Sequence, residues 1–302
     1  MRVRSIVVAA VLLTSLAVTP TAWAGKKLPD LAPTVGGVDQ GYAFIGGRLK
    51  MEATDTTINV GKARAAGSVT TFYLSKKDPK ARRELTTRKV GALKPGEADS
   101  GSERADGRND FPAGAYRIVA CVDAKDKVKE SDEGNNCGKV VSPKRFYSAY
   151  EEWEGSLSGT APGVLTPDAK EKWESTDVSF GSPSVAGGIF QYPVTGGAIT
   201  YTFSGTTQTG CGTYSGGGTF ALDRNFGLLT IDYDGENYNA GAGATLGSQY
   251  PITSACGPGA WGAHEPALET GETKLKDGAS TLKGAAADPS QGANYKWELE
   301  GR

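Results

Sequence analysis

A chain of 302 residues that sets 33 Lys and Arg against 34 Asp and Glu carries a formal charge of only −1. That balance leaves no electrostatic footprint for nucleic acid or for an anionic membrane. With 42 glycines the chain is built for turns rather than long helices, and its single histidine excludes a His-rich zinc site.

The first residues have the form of an export signal. Arg2 and Arg4 make a basic start, and Ser5 to Val18 is an apolar run too short to span a bilayer comfortably. Ala22-Trp23-Ala24 places cleavage before Gly25, so residues 1–24 read as a signal peptide. Losing Arg2 and Arg4 moves the formal charge from −1 to −3. The mature chain has no second long apolar segment, so it is expected to be secreted, extracellular and without a transmembrane span. Four cysteines in an exported chain pair most simply as two disulfides. Their spacing divides them into Cys121 with Cys137 and Cys211 with Cys256, the local pairings whose loops cost least to close.

Pro29-Asp30-Leu31 opens a first short strand, and Arg48 to Val60 follows with apolar and polar residues mixed. Ser68 to Leu74 is β-branched and aromatic, a strand by composition. Lys76-Lys77-Asp78-Pro79 is a turn, Leu85 to Leu93 another strand, and Lys94-Pro95-Gly96-Glu97 a second turn. Asp99 to Asp110, polar, charged and glycine-containing, reads as an exposed loop. In Tyr116 to Val122 the alternation puts Tyr116, Ile118, Ala120 and Val122 on one face. Cys121 points the other way, so its bridge to Cys137 is expected to be a staple on the outer surface. The chain then returns, on this reading, as a strand from Val128 through Val141. Strands at this spacing with no helix describe an antiparallel β-sandwich. Asp123, Asp126 and Glu130 offer the oxygen donors that Ca²⁺ prefers and are candidate ligands for it. Lys125, Lys127 and Lys129 interleave with them, and the competing reading is a solvated hairpin in which Asn135 and Asn136 cap backbone groups. Tyr116 is a candidate corner tyrosine bonding back to the backbone.

Several short motifs follow in a familiar order. They are Pro29-Asp30-Leu31, Ile58-Asn59-Val60-Gly61, Phe72-Tyr73-Leu74, Leu93-Lys94-Pro95-Gly96-Glu97, Gly114-Ala115-Tyr116, and Val122-Asp123 leading to Glu130-Ser131-Asp132-Glu133-Gly134-Asn135-Asn136. This pattern resembles CARDB, the cell-adhesion-related domain found in bacteria, over residues 28–144. The resemblance implies a seven-stranded, immunoglobulin-like sandwich in an extracellular protein. A disulfide and a long Asp99 to Asp110 segment are departures from the family pattern.

Ser142-Pro143-Lys144 ends the first module, taken as residues 25–144, and Phe146 to Tyr150 makes an aromatic, packed junction to a second, 145–302. There Trp153 and Leu157 share a face, and Ile199, Tyr201 and Phe203 alternate with Thr200, Thr202 and Ser204. Thr219 to Leu222, then Asp223-Arg224-Asn225, then Phe226 to Tyr233 reads as a hairpin, and Asp277-Gly278 signals another between Leu275 and Leu282. Tyr295, Trp297 and Leu299 line one face of a last strand. Trp153-Glu154-Gly155 and Trp297-Glu298-Leu299-Glu300-Gly301 look alike, so first and last strands are expected to pair and close a small barrel, with a second sandwich as the alternative. The fold class is therefore all-β throughout.

No catalytic constellation is legible. His264, the only histidine, sits in a loop segment, and no G-x-S-x-G elbow occurs. Asp232-Tyr233-Asp234-Gly235-Glu236-Asn237 lacks the spaced terminal Glu of a calcium loop and reads as a strand end with a turn. The second half is rich in aromatics with Asn, Thr and Gln, a composition suited to a carbohydrate or small apolar ligand. Trp153, Trp297 and Tyr201 are expected in the core, whereas Trp261, Tyr238 and Tyr250 are candidate ligand contacts. The expectation is a secreted, non-catalytic binding or adhesion-like protein, with no cofactor, whose partner is an extracellular or cell-surface protein or a carbohydrate. An extracellular hydrolase and a purely structural envelope component are the alternatives.

Overall fold

The computed structural model describes residues 27–34, 38–39, 43–45, 48–76, 82–108, 112–138, 146–163, 168–207, 210–244, 250–261, 267–288 and 292–302. The expected signal peptide and His264 lie outside them. Every regular element among the described residues is a strand, and none of those residues forms a helix long and apolar enough to cross a membrane.

The first nine strands are β1 (Leu31–Thr34), β2 (Val38–Asp39), β3 (Ala43–Ile45), β4 (Arg48–Asn59), β5 (Ser68–Ser75), β6 (Arg82–Val90), β7 (Ala98–Arg108), β8 (Gly114–Val122) and β9 (Phe146–Ala149). They form two sheets. In one, β4 carries β7 along one edge and β1 and β2 on the other; in the second the order is β3-β9-β8-β5-β6. Phe72, Leu74, Tyr116, Ile118 and Ala120 face Ala53 and Ala105 between the sheets, and Leu31, Ala65, Val90, Leu93, Val122 and Val128 close one end. This is the sandwich that the strand spacing predicts. Tyr116 bonds back to the backbone as expected: its hydroxyl donates to the Pro112 carbonyl at 2.5 Å.

Three details differ from the sequence reading. The described part of the Asp99 to Asp110 segment, residues 99–108, is not a loop: β7 pairs with β4 from Ile58 opposite Ala98 to Arg48 opposite Arg108. Its hydrophobic signal is nearly absent because cross-strand polar pairs serve instead, Ser100 with Thr56 at 2.8 Å and Ser102 donating to Glu52 at 2.6 Å. The return after Val128 is not a strand over its described part, which touches the sheet through a lone bridge between Cys121 and Cys137. Those two residues are disulfide-bonded, but the bond is no surface staple: Cys121 is 1% exposed, and Cys137 is bridged beside it along the edge of β8.

The sandwich interior also holds charge. Asp55, fully buried, receives Arg88 Nε at 2.5 Å on one oxygen and the hydroxyls of Thr57 and Thr70 at 3.0 and 3.1 Å on the other. Arg88 reaches on to Asp99 at 2.9 Å, and the Gly91 amide holds the Asp99 carboxyl below its usual range.

The second half begins with β10 (Trp153–Pro162), β11 (Lys170–Phe180), β12 (Ser184–Ala186), β13 (Ile189–Gly196), β14 (Ala198–Thr206), β15 (Thr213–Ala221), β16 (Gly227–Asp232) and β17 (Asn237–Gly243). It ends with β18 (Tyr250–Ser254), β19 (Gly257–Trp261), β20 (Ala267–Glu269), β21 (Thr273–Lys274), β22 (Thr281–Asp288) and β23 (Ala293–Gly301). All belong to one sheet that forks at β11. On one edge β11 pairs with β10; on the other its first half takes β14 and its end takes β13. One arm continues β14-β15-β18-β19, the other β13-β16-β17, and the forked sheet curls into a half-barrel. First and last strands do pair, with Leu157 opposite Trp297 and Trp153 opposite Gly301.

The two expected hairpins are turns of another kind. The Phe226 amide bonds the Asp223 carbonyl at 3.0 Å, but the turn carries the chain between arms: β15 pairs with β14 and β18, β16 with β13 and β17. Around Gly278 (φ 72) the turn also forms, yet β21 pairs with β17 and β22 with β23. Turn chemistry is local, whereas partner choice is set by which face must be buried.

The junction lies in β9, beyond Lys144. Its backbone pairs with β3 and β8, while Tyr147 and Ala149 enter the core of the second half beside Phe190, Tyr192 and Tyr233.

Removing one partner of a buried ion pair leaves an uncompensated charge. Arg88→Ala should lower the midpoint of chemical denaturation with an unchanged slope, a loss of about 3–5 kcal/mol. A loss under about 1 kcal/mol would show that Asp55 does not depend on its guanidinium partner.

Candidate functional site

The acidic segment after β8 acts first as a clasp. Ser131 donates its hydroxyl to Asp30 at 2.8 Å and its amide to the Pro29 carbonyl at 2.8 Å, and Asn135 Nδ2 donates to Asp30 at 2.7 Å. The Leu31 amide donates to the Glu130 carboxylate. Asn59 joins from the other side, accepting the Asp30 and Gly61 amides and donating to the Ala63 and Leu93 carbonyls. A Cβ at Gly61 would stand 2.4 Å from the Asp30 nitrogen, which is why glycine is needed there. Motifs far apart in the chain thus bind one another around β1.

The three candidate calcium ligands have separate tasks. Asp123, in a left-handed conformation (φ 42), accepts the Val128 amide at 2.6 Å; Asp126 is exposed; Glu130 is 5% exposed against Leu31. Among the described residues no group of three His, Cys, Asp or Glu is placed to hold a metal ion. Asn136 donates to Glu133 at 3.1 Å, and Gly134 donates its amide to Asp132 at 2.8 Å, so the loop is held largely by its own side chains. Asp232 likewise accepts the amides of Asp234 and Gly235, each at 2.9 Å, which makes that motif a turn.

Burial pushes the Glu130 carboxyl up to about 7; the Leu31 amide pulls it down, and Glu133, Asp123 and Asp30 add repulsion.

The aromatic candidates separate. Tyr238 is 3% exposed, and its hydroxyl accepts Trp297 Nε1 at 2.8 Å inside the core. Tyr250 and Trp261 stand opposite each other in the β18–β19 hairpin, which the Cys211–Cys256 disulfide ties back to the segment before β15. Trp153, Tyr201 and Trp297 fill the core, as their alternation predicts.

A different set of residues lines an open cleft of about 920 Å³ in the half-barrel. It draws on β10, β11, β14, β15, β18 and β23, and its lining includes the hydroxyl and amide side chains of Thr160, Thr202, Ser204, Ser215, Thr253 and Asn294. Lys170 and Lys172 add cations. Phe203 adds an apolar wall, and Asp168 and the buried Glu171 add two carboxylates. Asp168 accepts the Thr206 hydroxyl, which fixes it at the rim. Sequence reading did not pick out these residues, although the alternation of Lys170, Lys172 and Glu174 with Glu171, Trp173 and Ser175 in β11 is a period-2 signal.

The comparisons with known proteins bear on the first half. The CARDB family matches residues 28–140. Similar solved structures include the CARDB domain of a Pyrococcus furiosus protein in complex with di-metal ions, 19% identical over 40% of this chain and 94% of that one, with a TM-score of 0.29. The solution structure of that domain matches at 18% identity, 40% and 96% coverage and a TM-score of 0.29. A β-glucosidase from Erythrobacter marinus matches at 14% identity, with a TM-score of 0.26; the likeness covers 40% of this chain and 16% of that enzyme. No curated protein matches.

The Glu130 environment fixes the sign of a pH effect. Between its ordinary value of 4.5 and about 7, the folded state holds the proton more tightly than the unfolded chain does. Its contribution therefore stabilises as pH falls from about 7.5 toward 5 and is lost as pH rises through 7. Thermal melts across this window should show the slope in the parent protein and a flatter one in Glu130→Gln. Identical slopes in the two proteins would contradict the assignment.

Proposed function

Residues 28–140 being a CARDB domain, we propose that the chain is an extracellular, cell-surface-associated binding protein whose half-barrel holds a carbohydrate in the cleft. The cleft lining carries this reading. Its hydroxyl and amide groups both donate and accept, matching a polyhydroxylated ligand, and Phe203 offers an apolar wall. A volume near 920 Å³ is at the large end of small-ligand pockets, so a few linked rings fit rather than one. Two disulfides accord with an oxidising compartment outside the cytosol. The CARDB module accords with a role at the cell surface, with the half-barrel carrying recognition and the sandwich presenting it.

A second reading has one observation in its favour. Asp168 and Glu171 line the same cleft, and two carboxylates flanking a bound sugar are what glycoside hydrolysis requires. Asp168 is exposed and Glu171 buried, so the two differ in environment as an acid and its partner carboxylate would. In the favoured, non-catalytic reading both serve as hydrogen-bond acceptors.

One experiment separates the readings. The purified protein is passed over immobilised polysaccharides, and the retained ones are incubated with it and assayed for new reducing ends. Binding without release, lost about tenfold in Ser204→Trp, which fills the cleft, is the expected result. Release of reducing ends that stops in Glu171→Gln would establish the hydrolase instead. Retention unaffected by Ser204→Trp would remove the cleft from the account.

A further inference from the structure

The outer face of β16, β17 and β20 carries groups that neither the core nor the cleft uses. Phe226 closes the turn from Asp223 and is 51% exposed. In β16 the inward residues are Leu229 and Ile231, both fully buried, so Leu228 and Thr230 face outward in line behind Phe226. Register sets the rows. Leu228 stands opposite Gly241 and Gly241 opposite Glu269, while Thr230 stands opposite Asn239 in the next row.

Gly241 has no side chain, so the middle of the first row is open. The gap from Leu228 to Glu269 covers two inter-strand spacings, roughly 9.5 Å. A depression of about 320 Å³ occupies this position and includes Phe226, Leu228, Thr230, Asn239 and Glu269 in its lining. Its end is tight: at Gly227 (φ +144) a Cβ would meet the Gly241 carbonyl oxygen at 2.6 Å, so only glycine lets the two strands approach so closely beside the Phe226 ring.

We propose that this depression is a second ligand site, which takes a neutral pyranose ring of a glycan. The C–H face of a sugar is apolar and flat enough to lie on an exposed aromatic ring, while its edge carries hydroxyls. Asn239 both donates and accepts, Thr230 does the same, and Glu269 accepts, a set that matches a ring of hydroxyls. An apolar partner would bury these polar groups without hydrogen bonds, which costs free energy at each one. No lysine or arginine lines the depression among the described residues, and Glu269 repels anions, so acidic sugars are disfavoured. The site shares a ligand class with the proposed function, but none of its residues lines the cleft.

The test uses the full chain and four proteins: the parent, Phe226→Ala, Phe226→Trp and Ser204→Trp. Each is titrated with neutral and acidic oligosaccharides, after thermal melts have confirmed that all four are folded. At least one neutral oligosaccharide should bind about tenfold more weakly to Phe226→Ala, regain affinity with Phe226→Trp and be unaffected by Ser204→Trp. Restoration by tryptophan reports stacking, which a merely structural phenylalanine would not show. The inference is overturned if no neutral sugar binds, if Phe226→Ala leaves every affinity unchanged, or if only acidic sugars respond to it. Sensitivity to Ser204→Trp alone leaves the cleft reading standing and this one refuted; sensitivity to Phe226 alone does the reverse.

Discussion

Tyr147 is the largest side chain that the first sandwich places in the core of the second half. Tyr147 lies on β9, whose backbone is bonded into the first sandwich, yet its ring meets Phe190 edge-on at 6.1 Å and stacks with Tyr233 at 6.3 Å in the second core. Its hydroxyl donates to Asp234 at 2.7 Å. Gly188 leaves the room this requires, since a Cβ there would come within 3.1 Å of the Tyr147 hydroxyl and 2.9 Å of Asp234. Aromatic pairs of this kind are worth about 0.5–1.5 kcal/mol each beyond the area they bury. The more important consequence is connectivity: the strand cannot leave one half without opening the core of the other. Lys76 and Asp277 add a bridge at 2.8 Å between the halves, but it is exposed and contributes little.

The same logic of elements held from two sides recurs in the clasp around β1. Asp30 takes hydrogen bonds from Ser131 and Asn135, Glu130 takes one from the Leu31 amide, and Asn59 spans the gap to the Leu93 turn. The acidic, amide-rich end of the CARDB domain looks from sequence like a ligand-binding strip. Several of its polar groups are instead used inside the fold, on Asp30, Leu31 and Val128. The second half carries two separate concave surfaces, a cleft where β10, β11 and β14 lie side by side and a depression on the β16–β17 arm.

Much of the fold was legible because several strands alternate cleanly. β8 in the sandwich and β14 and β23 in the half-barrel each declare one apolar face, β5 is a strand by composition, and motif order identified the first module. Two of the strands that the sequence pattern did not reveal show why. β7 presents serine, glutamate and glycine, since cross-strand hydrogen bonds rather than apolar contacts hold much of it to β4. β11 was passed over because Glu171 and Ser175 occupy buried positions where the pattern expects apolar residues. Pairing partners were the second gap. Asp223-Arg224-Asn225 and Asp277-Gly278 make turns as their composition predicts, but a turn does not say which strand its flanks will meet. The cysteine pairs were found from spacing alone, whereas the burial of Cys121 (1% exposed) was not legible in the local alternation. The cleft residues come from six strands, and no linear spacing connects them.

The central claim is that the halves share a core through Tyr147, so that the CARDB sandwich and the half-barrel behave as one body. Calorimetry of the parent protein and of Tyr147→Ala tests it most directly. The account predicts one cooperative transition in the parent, and in the variant either a midpoint several degrees lower or a split into two transitions, since truncating a large buried aromatic costs about 3–5 kcal/mol. Two independent transitions in the parent, both unmoved by Tyr147→Ala, would contradict it.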